Sequence, residues 1–331
     1  MNNEIIWIKN PLAIFAYNSE GGVVVQGQKI IELVARGKTP KTNIDQVYDS
    51  SESVVLPGLI NTHHHFYQTL TRAYPEALNQ ELFPWLKILY KVWANIQPEM
   101  HAVATELALA ELLLSGCTTA SDHHYLFPSQ LENAIDIQVE QAQKIGMRVV
   151  LTRGSMSLGE KDGGLPPQNV VQTDDQILQD SERLINTYHQ SEPGAMIQIA
   201  LAPCSPFSVT TELMQATSDL AEKHNVRLHT HLAETIDEEN FCLQKFGLRT
   251  VDYLESVGWL SNRTWLAHGI HFNKEEIQKL GKFNVGICHC PTSNMMLASG
   301  ICHNLELEKA GCAIGLGVDG SASNDGSNMI A

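Results

Sequence analysis

Residues 197–230 (IQIALAPCSPFSVTTELMQATSDLAEKHNVRLHT) contain one strand–helix–strand unit. Two apolar runs typical of buried strands, Ile197–Ala202 and Val226–Thr230, flank the amphipathic stretch Thr210–His224, which predicts a helix. Strands that are joined through a helix in this way pair in parallel. The unit therefore predicts a parallel sheet built from repeated strand–helix pairs.

The same alternation continues along the chain and gives eight predicted strands in total. The further strands are Val54–Ile60, Thr118–Ser121, Arg148–Thr152, Thr264–Ala267, Val285–Cys288 and Ala313–Val318. The further helices are Pro98–Ser115, Gln130–Ile145, Asp175–His189, Leu248–Val257, Lys274–Lys282 and Asn304–Ala310. Eight strands with helices between them predict the α/β class, and within it a (β/α)8 TIM barrel.

The N-terminal residues differ in pattern from the rest of the chain. Short β-like runs are separated by Gly, Asn and Lys turns, and they show no helical periodicity. This pattern predicts a small β module over residues 1–56, part of a composite β-sandwich, followed by the barrel over residues 57–331. The chain ends soon after Asp319, so we expect the C-terminus to be truncated and the eighth helix to be missing or incomplete.

Composition and charge exclude several classes of protein. A chain of 331 residues with 43% hydrophobic residues can build a large core and does not match a disordered or collagen-like protein. The formal net charge of −15, without a Lys/Arg cluster, opposes binding to nucleic acid or to an anionic membrane. The sequence shows neither a secretory signal nor an apolar run long enough to span a membrane. Its seven scattered cysteines fit reduced thiols, so we expect a cytoplasmic protein.

Histidines follow the ends of several predicted strands, which is where (β/α)8 barrels place their active sites. Residues 61–65 read NTHHH, and a side-chain period of two puts His63 and His65 on one face while His64 points away. The later strands are followed by His231, Glu234, His268 and Asp319. Neutral imidazoles with one carboxylate, and one position open to water, suit Zn(II), Fe(II) or Mn(II). The sequence therefore predicts a metal site at this end of the barrel.

Several stretches resemble motifs of the amidohydrolase superfamily. They are PGLINTHHH at 57–65, HTHLAET at 229–235, AHG at 267–269, CPTSN at 290–294 and GVDGSASND at 317–325. Within the superfamily they resemble the subgroup of hydroxyatrazine-type aminohydrolases, guanine deaminases and S-adenosylhomocysteine deaminases. Further stretches are similar to bacterial deaminases of 8-oxoguanine, whose relatives are also called hydroxydechloroatrazine ethylaminohydrolases; they are DHHY at 122–125, TRGSMSL at 152–158 and LAPCSPF at 201–207.

The resemblance implies a ligand set and catalytic roles. It implies one metal ion per subunit, usually zinc, held by His63, His65, His231 and Asp319. The catalytic residues that it implies are Glu234 as proton shuttle, His268 as the group that polarises the reacting centre, and Asp319 as a proton acceptor. Binuclear members of the superfamily carry a carboxylated lysine at the end of strand four. Residues 197–204 contain no lysine, so we expect a mononuclear site.

The resemblance also implies a reaction, the hydrolytic deamination of an aminopurine by a metal-activated water. The leading substrate is 8-oxoguanine, which would give urate and ammonia. Three alternatives stay open: guanine or another aminopurine, a hydroxylated s-triazine that loses an alkylamine, and, from a different class, a catalytically inactive barrel that binds metal. The expected partner is a small neutral heterocycle, and the resemblance leaves a homodimer open as the assembly.

Polar residues after the first four strands are candidates for contacts with the edges of a flat purine. These candidates are Gln68, His123, Arg153 and Cys204, and candidates for an apolar wall are Trp85 and Phe207. Each has an alternative role within the fold. Arg153 could pair with a carboxylate, and Trp85 could pack within a helical layer. The sequence does not choose between these roles.

Overall fold

A computed structural model describes residues 4–330 of the chain. These residues form two compact units, one ending at Gly58 and the other beginning at Leu59. The ranges expected from the sequence, 1–56 and 57–331, include residues 1–3 and 331, which lie outside the described residues. All candidate site residues belong to the second unit.

The first unit is a small β module with two sheets. Its strands are β1 Ile5–Lys9, β2 Ala13–Ile14, β3 Gly22–Gln26, β4 Lys29–Val34, β5 Gln46–Asp49 and β6 Val54–Val55. The larger sheet has the order β4-β3-β1-β5, and β2 pairs with β6. Trp7, Val24 and Val34 form its buried core, where the Trp7 indole donates a hydrogen bond to the Gly21 carbonyl at 3.1 Å.

The second unit is a closed barrel of eight parallel strands, which confirms the predicted fold. Its strands are β7 Leu59–Asn61, β8 Cys117–His124, β9 Arg148–Ser155, β10 Ile197–Pro203, β11 Leu228–Leu232, β12 Thr264–His268, β13 Gly286–His289 and β14 Ala313–Leu316. They follow one another around the barrel in chain order, and β14 closes the circle by pairing with β7. The carboxyl ends of all eight strands therefore meet at one mouth.

Helices and short 3-10 turns connect the barrel strands. The α-helices are α1 Leu82–Trp93, α2 Pro98–Leu114, α3 Ala134–Ile145, α4 Asp174–Tyr188, α5 Thr211–His224, α6 Ile236–Phe246, α7 Thr250–Ser256, α8 Lys274–Lys282, α9 Pro291–Met296 and α10 Asn304–Ala310. The 3-10 turns are Phe66–Thr71, Pro75–Ala77, Ser129–Leu131, Glu160–Asp162 and Gln168–Val170. One large apolar core lies between the strands and this outer layer.

The structure corrects the first predicted barrel strand. The run Val54–Ile60 was expected to be continuous, but β6 ends at Val55 and pairs with β2, while β7 begins at Leu59. Pro57 and Gly58 stand between the two strands. Proline has no N–H for a strand ladder, so it interrupts pairing at this point.

Three helices were not predicted from the sequence: α1, α6 and α9. α1 has an apolar face and carries Pro84 in its first turn, where proline is tolerated. α6 begins directly after the strand-end residues, where Thr235 accepts a hydrogen bond from Glu238 N at 3.4 Å. α9 spans only six residues. All three helices lie directly beside the site described below.

Two surface features of the described chain are plain. None of its helices is long and apolar enough to cross a membrane. No helix follows β14 within residues 4–330, and the outward side chains Ile60 and Leu316 are 57% and 51% exposed. The outer face of β14 and β7 is therefore apolar and uncovered in the described residues.

Candidate active site

Three imidazoles and one carboxylate meet at the carboxyl ends of the barrel strands. His63 and His65 follow β7, His231 lies in β11 and Asp319 follows β14. The Nε2 atoms of His63 and His65 each lie 3.3 Å from Asp319 Oδ1. His65 Nε2 also lies 3.2 Å from His231 Nε2. The structure therefore brings together, in a buried position, the four residues that the sequence singles out as metal ligands.

Hydrogen bonds at the opposite ring nitrogen fix the tautomers of His65 and His231. His65 Nδ1 donates to the His123 carbonyl at 2.6 Å, and His231 Nδ1 donates to the Cys204 carbonyl at 2.6 Å. A carbonyl only accepts, so the proton of each neutral ring is on Nδ1 and each Nε2 presents a lone pair. The contact between the two Nε2 atoms therefore sets two lone pairs against each other.

A further histidine fixes the tautomer of His63. His229 Nδ1 donates to the Trp265 carbonyl at 2.8 Å, so His229 Nε2 is an acceptor. His63 Nδ1 lies 2.8 Å from that acceptor and donates to it. His63 Nε2 is then a buried lone pair that has no hydrogen-bond partner among the described residues. His229 thus orients His63 from behind, as outer residues commonly do for metal ligands.

The arrangement of these acceptors fits a divalent cation. Three imidazole lone pairs and a carboxylate oxygen converge with no proton between them, and buried acceptors without a partner are costly. A cation at the centre would satisfy all four groups at once. Nitrogen and oxygen donors of this kind suit zinc, iron(II) or manganese(II). Two groups of metal-ligating side chains lie within reach of a common ion: His63, His65, His123 and His231, and His63, His268 and Asp319. Among them, the free acceptor atoms that converge on one point belong to His63, His65, His231 and Asp319.

The electrostatics of the imidazoles agree with a ligand role. Burial, followed by the neighbouring His63, lowers the pKa of His65 to about 3. The pKa of His231 is held well below its ordinary value by the same two causes in the same order. Both rings are therefore neutral near pH 7, and only a neutral imidazole can bind a metal.

His268 presents a donor instead of a lone pair. Its Nδ1 accepts from Asn294 Nδ2 at 3.1 Å, so the ring proton lies on Nε2. That Nε2 faces Glu234 Oε2 at 3.4 Å and Asp319 Oδ2 at 4.0 Å. In this tautomer His268 can donate a hydrogen bond into the site but cannot bind a metal through Nε2.

Glu234 stands beside the ligand cluster on the turn that follows β11. Burial raises the pKa of Glu234 well above its ordinary value, and repulsion from the Asp319 carboxylate, and from Glu238 where that group is ionised, raises it further. Its Oε1 is buried and has no hydrogen-bond partner among the described residues. A carboxyl group with a raised pKa takes up a proton more readily than an ordinary glutamate, so it can act as a general acid as well as a base.

A small cavity opens in front of these groups. Helix α1 contributes Leu82, Trp85, Leu86 and Tyr90 to its wall, and Phe207 extends the apolar surface. The remaining lining consists of His65, Gln68, Tyr125, Cys204, His231, Glu234, His268, Leu297, Asp319 and Ser323. Trp85 and Phe207, the two wall candidates, therefore both face the cavity. The enclosure is apolar on one side and polar on the other, as in many small-molecule sites.

Two of the four candidate substrate-binding residues line this cavity. Gln68 lies in the 3-10 turn Phe66–Thr71, and its buried Oε1 has no hydrogen-bond partner among the described residues. Cys204 follows β10, and burial raises its pKa to about 12, so it remains a thiol. Tyr90, which the sequence did not single out, adds a buried hydroxyl that also lacks a partner within the described chain. Such polar atoms are available to a ligand.

The structure places Arg153 away from the cavity lining. Its guanidinium donates to Asp180 Oδ2 at 2.7 Å and to Gln172 Oε1 at 2.8 Å. It also stacks on Phe127, with 3.8 Å between Cζ and the ring centre. These contacts hold the side chain within the fold, and the expected contact of Arg153 with a substrate stays a prediction.

His123 also does not line the cavity. Its ring stacks on His231 with 4.6 Å between ring centres, and its Nε2 donates to the Ala202 carbonyl at 2.9 Å. Its backbone carbonyl receives the proton of His65 Nδ1. His123 therefore supports two candidate ligands from behind, and its expected contact with a substrate stays a prediction.

Sequence reasoning missed three residues that the geometry brings into the site. They are His229, which holds His63; Asn294, which fixes the tautomer of His268; and Tyr90, which lines the cavity. His229 and Asn294 lie within the quoted motifs, so a signal for them was present. Tyr90 had none, because its position depends on a helix that was not predicted.

Residues 54–331 match the model of the amidohydrolase family, and the chain belongs to that family. A match at 67% identity covers 98% of this chain and 73% of its relative, "8-oxoguanine deaminase" of Pseudomonas aeruginosa. A more distant relative is "Hydroxydechloroatrazine ethylaminohydrolase" of Pseudomonas sp. strain ADP, at 35% identity over 82% of this chain and 57% of that protein.

A similar solved structure is that of atrazine chlorohydrolase from Arthrobacter aurescens, complexed with zinc. It superposes with a TM-score of 0.91 at 31% identity and covers 98% of this chain and 74% of the other. The shared fold extends over nearly the whole described chain, including both units.

Proposed function

We propose that this protein is a zinc-dependent hydrolase that converts 8-oxoguanine and water into urate and ammonia. The observation that carries the proposal is the convergence of three imidazole lone pairs and a carboxylate beside the buried carboxyl group of Glu234. The choice of 8-oxoguanine is supported by the 67% identity to a deaminase of that name. Zinc is supported by the donor set and by the zinc complex of the similar hydrolase.

The metal would be held by His63, His65, His231 and Asp319. When bound, such an ion lowers the pKa of a water molecule toward neutrality and so supplies the nucleophile for hydrolysis. The strand β10 contains no lysine, and none lines the cavity among the described residues, which supports a single ion.

Glu234 carries protons in the proposed reaction. Its carboxyl lines the cavity, and burial raises its pKa well above the ordinary value. As a carboxylate it takes a proton from the attacking water; as an acid it delivers protons to a ring nitrogen and to the departing ammonia. A raised pKa favours both roles, because the protonated form of an ordinary glutamate is scarce near neutral pH.

His268 and Asp319 stabilise the reacting centre. His268 Nε2–H is directed toward the space beside Glu234 and Asp319, so it can donate to charge that develops on the substrate. Asp319, apart from its ligand role, offers Oδ2 as an acceptor on the same side. Its backbone N–H donates to the His63 carbonyl at 3.1 Å, which fixes the carboxylate relative to the ligands.

The cavity suits a small, neutral and flat heterocycle. Trp85, Leu86 and Phe207 offer an apolar surface, and Gln68 and Tyr90 offer buried polar atoms that lack protein partners. We propose that these polar atoms bind the edges of the purine. The seven cysteines are all buried free thiols, which supports a reducing, cytoplasmic location.

The test is a comparison of ammonia release by the zinc-loaded protein with four substrates. We expect kcat/KM for 8-oxoguanine to exceed the values for guanine, isocytosine and hydroxyatrazine, with urate as the second product. A preference for hydroxyatrazine would move the assignment to a triazine aminohydrolase. No turnover of any of them by a folded protein that holds one metal ion would refute the proposed reaction.

A further inference from the structure

Glu238 lies directly behind the turn that carries Glu234. It belongs to the first turn of α6, and its side chain is fully buried. Its Oε2 accepts the backbone N–H of Glu234 at 3.0 Å. A side chain of α6 therefore holds the amide of the residue proposed to carry protons.

The turn needs such support because its backbone is in a strained conformation. Ala233 has a φ of +52°, in the left-handed region that residues with a Cβ rarely adopt. The carbonyl of Ala233 is fixed from the other side by the N–H groups of Ile270 and His271, at 2.9 and 3.0 Å. Glu238 accepts the N–H of the next residue, Glu234. Hydrogen bonds on both sides of the turn therefore fix the direction of the Glu234 side chain.

No other role accounts for a buried carboxyl at this position. Arg249 pairs with Glu239 and with Glu276, at 2.9 and 2.8 Å, and Glu238 forms no ion pair with any described residue. Its Oε1 has no hydrogen-bond partner in the described part of the chain. A buried carboxyl without a countercharge is costly for stability, so it needs a compensating use.

We propose that Glu238 is a positioning residue that fixes the Ala233–Glu234 turn, and through it the direction in which Glu234 transfers protons. This inference rests on the proposed deamination only for its effect on turnover. Glu238 touches neither the cavity nor the candidate metal ligands. Its loss is therefore expected to change the rate of the chemical step and to leave substrate binding and metal binding in place.

Three substitutions of Glu238 separate positioning from packing. Burial raises the pKa of Glu238 to about 8, so the group is neutral near pH 7 and Glu238→Gln keeps both its charge state and an acceptor oxygen. Glu238→Leu preserves the approximate volume but removes the acceptor. Glu238→Asp keeps the carboxyl but withdraws it from the turn by one methylene. This variant replaces the leucine variant as the test of positioning if the leucine variant fails to fold.

The measurements are kcat and KM for ammonia release from 8-oxoguanine, at equal metal content. We expect the glutamine variant to stay within about threefold of the wild-type kcat, because a neutral acceptor is retained. The leucine variant should lose roughly 10²-fold in kcat with little change in KM, as expected when a catalytic group is misplaced by about 1 Å. The aspartate variant should also lose kcat at unchanged KM.

The matched control is Glu239→Gln, a buried neighbour on the same helix that pairs with Arg249 instead, and its kcat should be unchanged.

Hydrogen exchange provides a readout that does not depend on turnover. The amide of Glu234 should exchange slowly in the wild type and in Glu238→Gln, and faster in Glu238→Leu and Glu238→Asp. If the wild-type protein released no ammonia, the proposed function would fail while this exchange pattern would still test Glu238. The inference is overturned if the leucine and aspartate variants keep wild-type kcat and exchange, or if the glutamine or Glu239→Gln variant loses as much kcat as the leucine variant.

Discussion

The histidines of the site differ in which ring nitrogen is free, and this difference assigns their roles. His63, His65 and His231 each donate from Nδ1 and present Nε2 to a common point. His268 accepts at Nδ1 from Asn294 and presents a proton at Nε2. Residues of one type at neighbouring strand ends thus become either ligands or donors according to the partner behind them.

Replacement of Glu234 by Gln tests its role as proton shuttle. Glutamine has nearly the same shape but cannot take up or release a proton. We expect kcat to fall by roughly 10²-fold or more, with the bound metal retained, because general acid–base catalysis contributes about that much. The measurement is kcat with metal analysis of the same sample, and Glu222→Gln on the exposed face of α5 is the control. Turnover near the wild-type rate would remove Glu234 from the mechanism.

Replacement of His229 by Leu tests the support of His63. Leucine cannot accept from His63 Nδ1, so His63 loses the contact that orients its ring. We expect the dissociation constant for zinc to rise by about 10–100-fold, the usual effect of removing a residue behind a metal ligand. Competition with a chelator measures this constant. The exposed His303, replaced by Leu, is the control, and equal affinity in both variants would contradict the role of His229.

At the residue scale the sequence indicated where the polar groups lie but not what each one contacts. His63 and His65 could be paired because they alternate at a strand end. Arg153 and His123 also follow strands, yet their side chains are held by Asp180 and by the Ala202 carbonyl. Those partners lie on other elements, so no local pattern could indicate them.

At the element scale, helix α1 is the main addition to what the sequence predicted. Its apolar positions Leu82, Trp85, Leu86, Leu89, Tyr90 and Trp93 recur at helical spacing and are all buried. Periodicity alone therefore supported a helix at this point, although none was predicted. Pro84 in the first turn is compatible with it, because proline is tolerated there.

The cavity wall formed by α1 predicts an effect of Leu86→Ala on substrate preference. Leu86 is buried against the cavity, and its truncation removes part of the surface that would hold a flat ring. We expect kcat/KM for 8-oxoguanine to fall by about 10–200-fold, as for other losses of apolar pocket contacts. The larger hydroxyatrazine should lose less. Lys87→Ala, on the exposed side of the same helix, is the control, and an unchanged ratio of the two substrates would show that α1 does not shape the pocket.

A buried carboxyl joins β8, α3 and the 3-10 turn after β7. Asp122 Oδ1 accepts from Phe66 N at 2.6 Å, and Oδ2 accepts from Gln138 Nε2 at 2.7 Å. Burial raises the pKa of Asp122 to about 7. The folded protein therefore binds a proton here that the unfolded chain releases near pH 4. The contribution of this group to stability is complete below pH 4 and is lost as the pH rises through 7.

Asp122→Asn removes this pH dependence. The asparagine stays neutral, and Gln138 can reverse its amide because its Oε1 has no partner among the described residues. Relative to the variant, the wild type should lose up to about 4 kcal/mol of unfolding free energy between pH 4 and pH 8. Denaturant unfolding at several pH values measures this difference. The control is Asp162→Asn at an exposed position, whose unfolding free energy should change with pH as that of the wild type does. If the unfolding free energy of Asp122→Asn also followed the wild type at every pH, the proposed contribution of Asp122 would be disproved.

At the scale of the whole molecule, the closed barrel explains how distant segments build one site. The candidate ligands come from β7, β11 and β14, which are separated by most of the sequence but share one mouth. Strand count, strand order and the ends that carry the chemistry could all be predicted, because they depend on local pattern and on the rules of parallel sheets. The cavity could not be predicted from the sequence, because its shape depends on packing between elements.

One measurement tests the account most directly: anomalous diffraction from crystals of the zinc-loaded protein. We expect a single zinc peak about 2.0–2.2 Å from its nitrogen and oxygen ligands. Those ligands should be His63, His65, His231 and Asp319, with Nε2 as the donor in each histidine. His268 and His123 should not bind the ion. A peak bound to His123 or His268, a second zinc in the cavity, or the absence of zinc at this point would contradict the account.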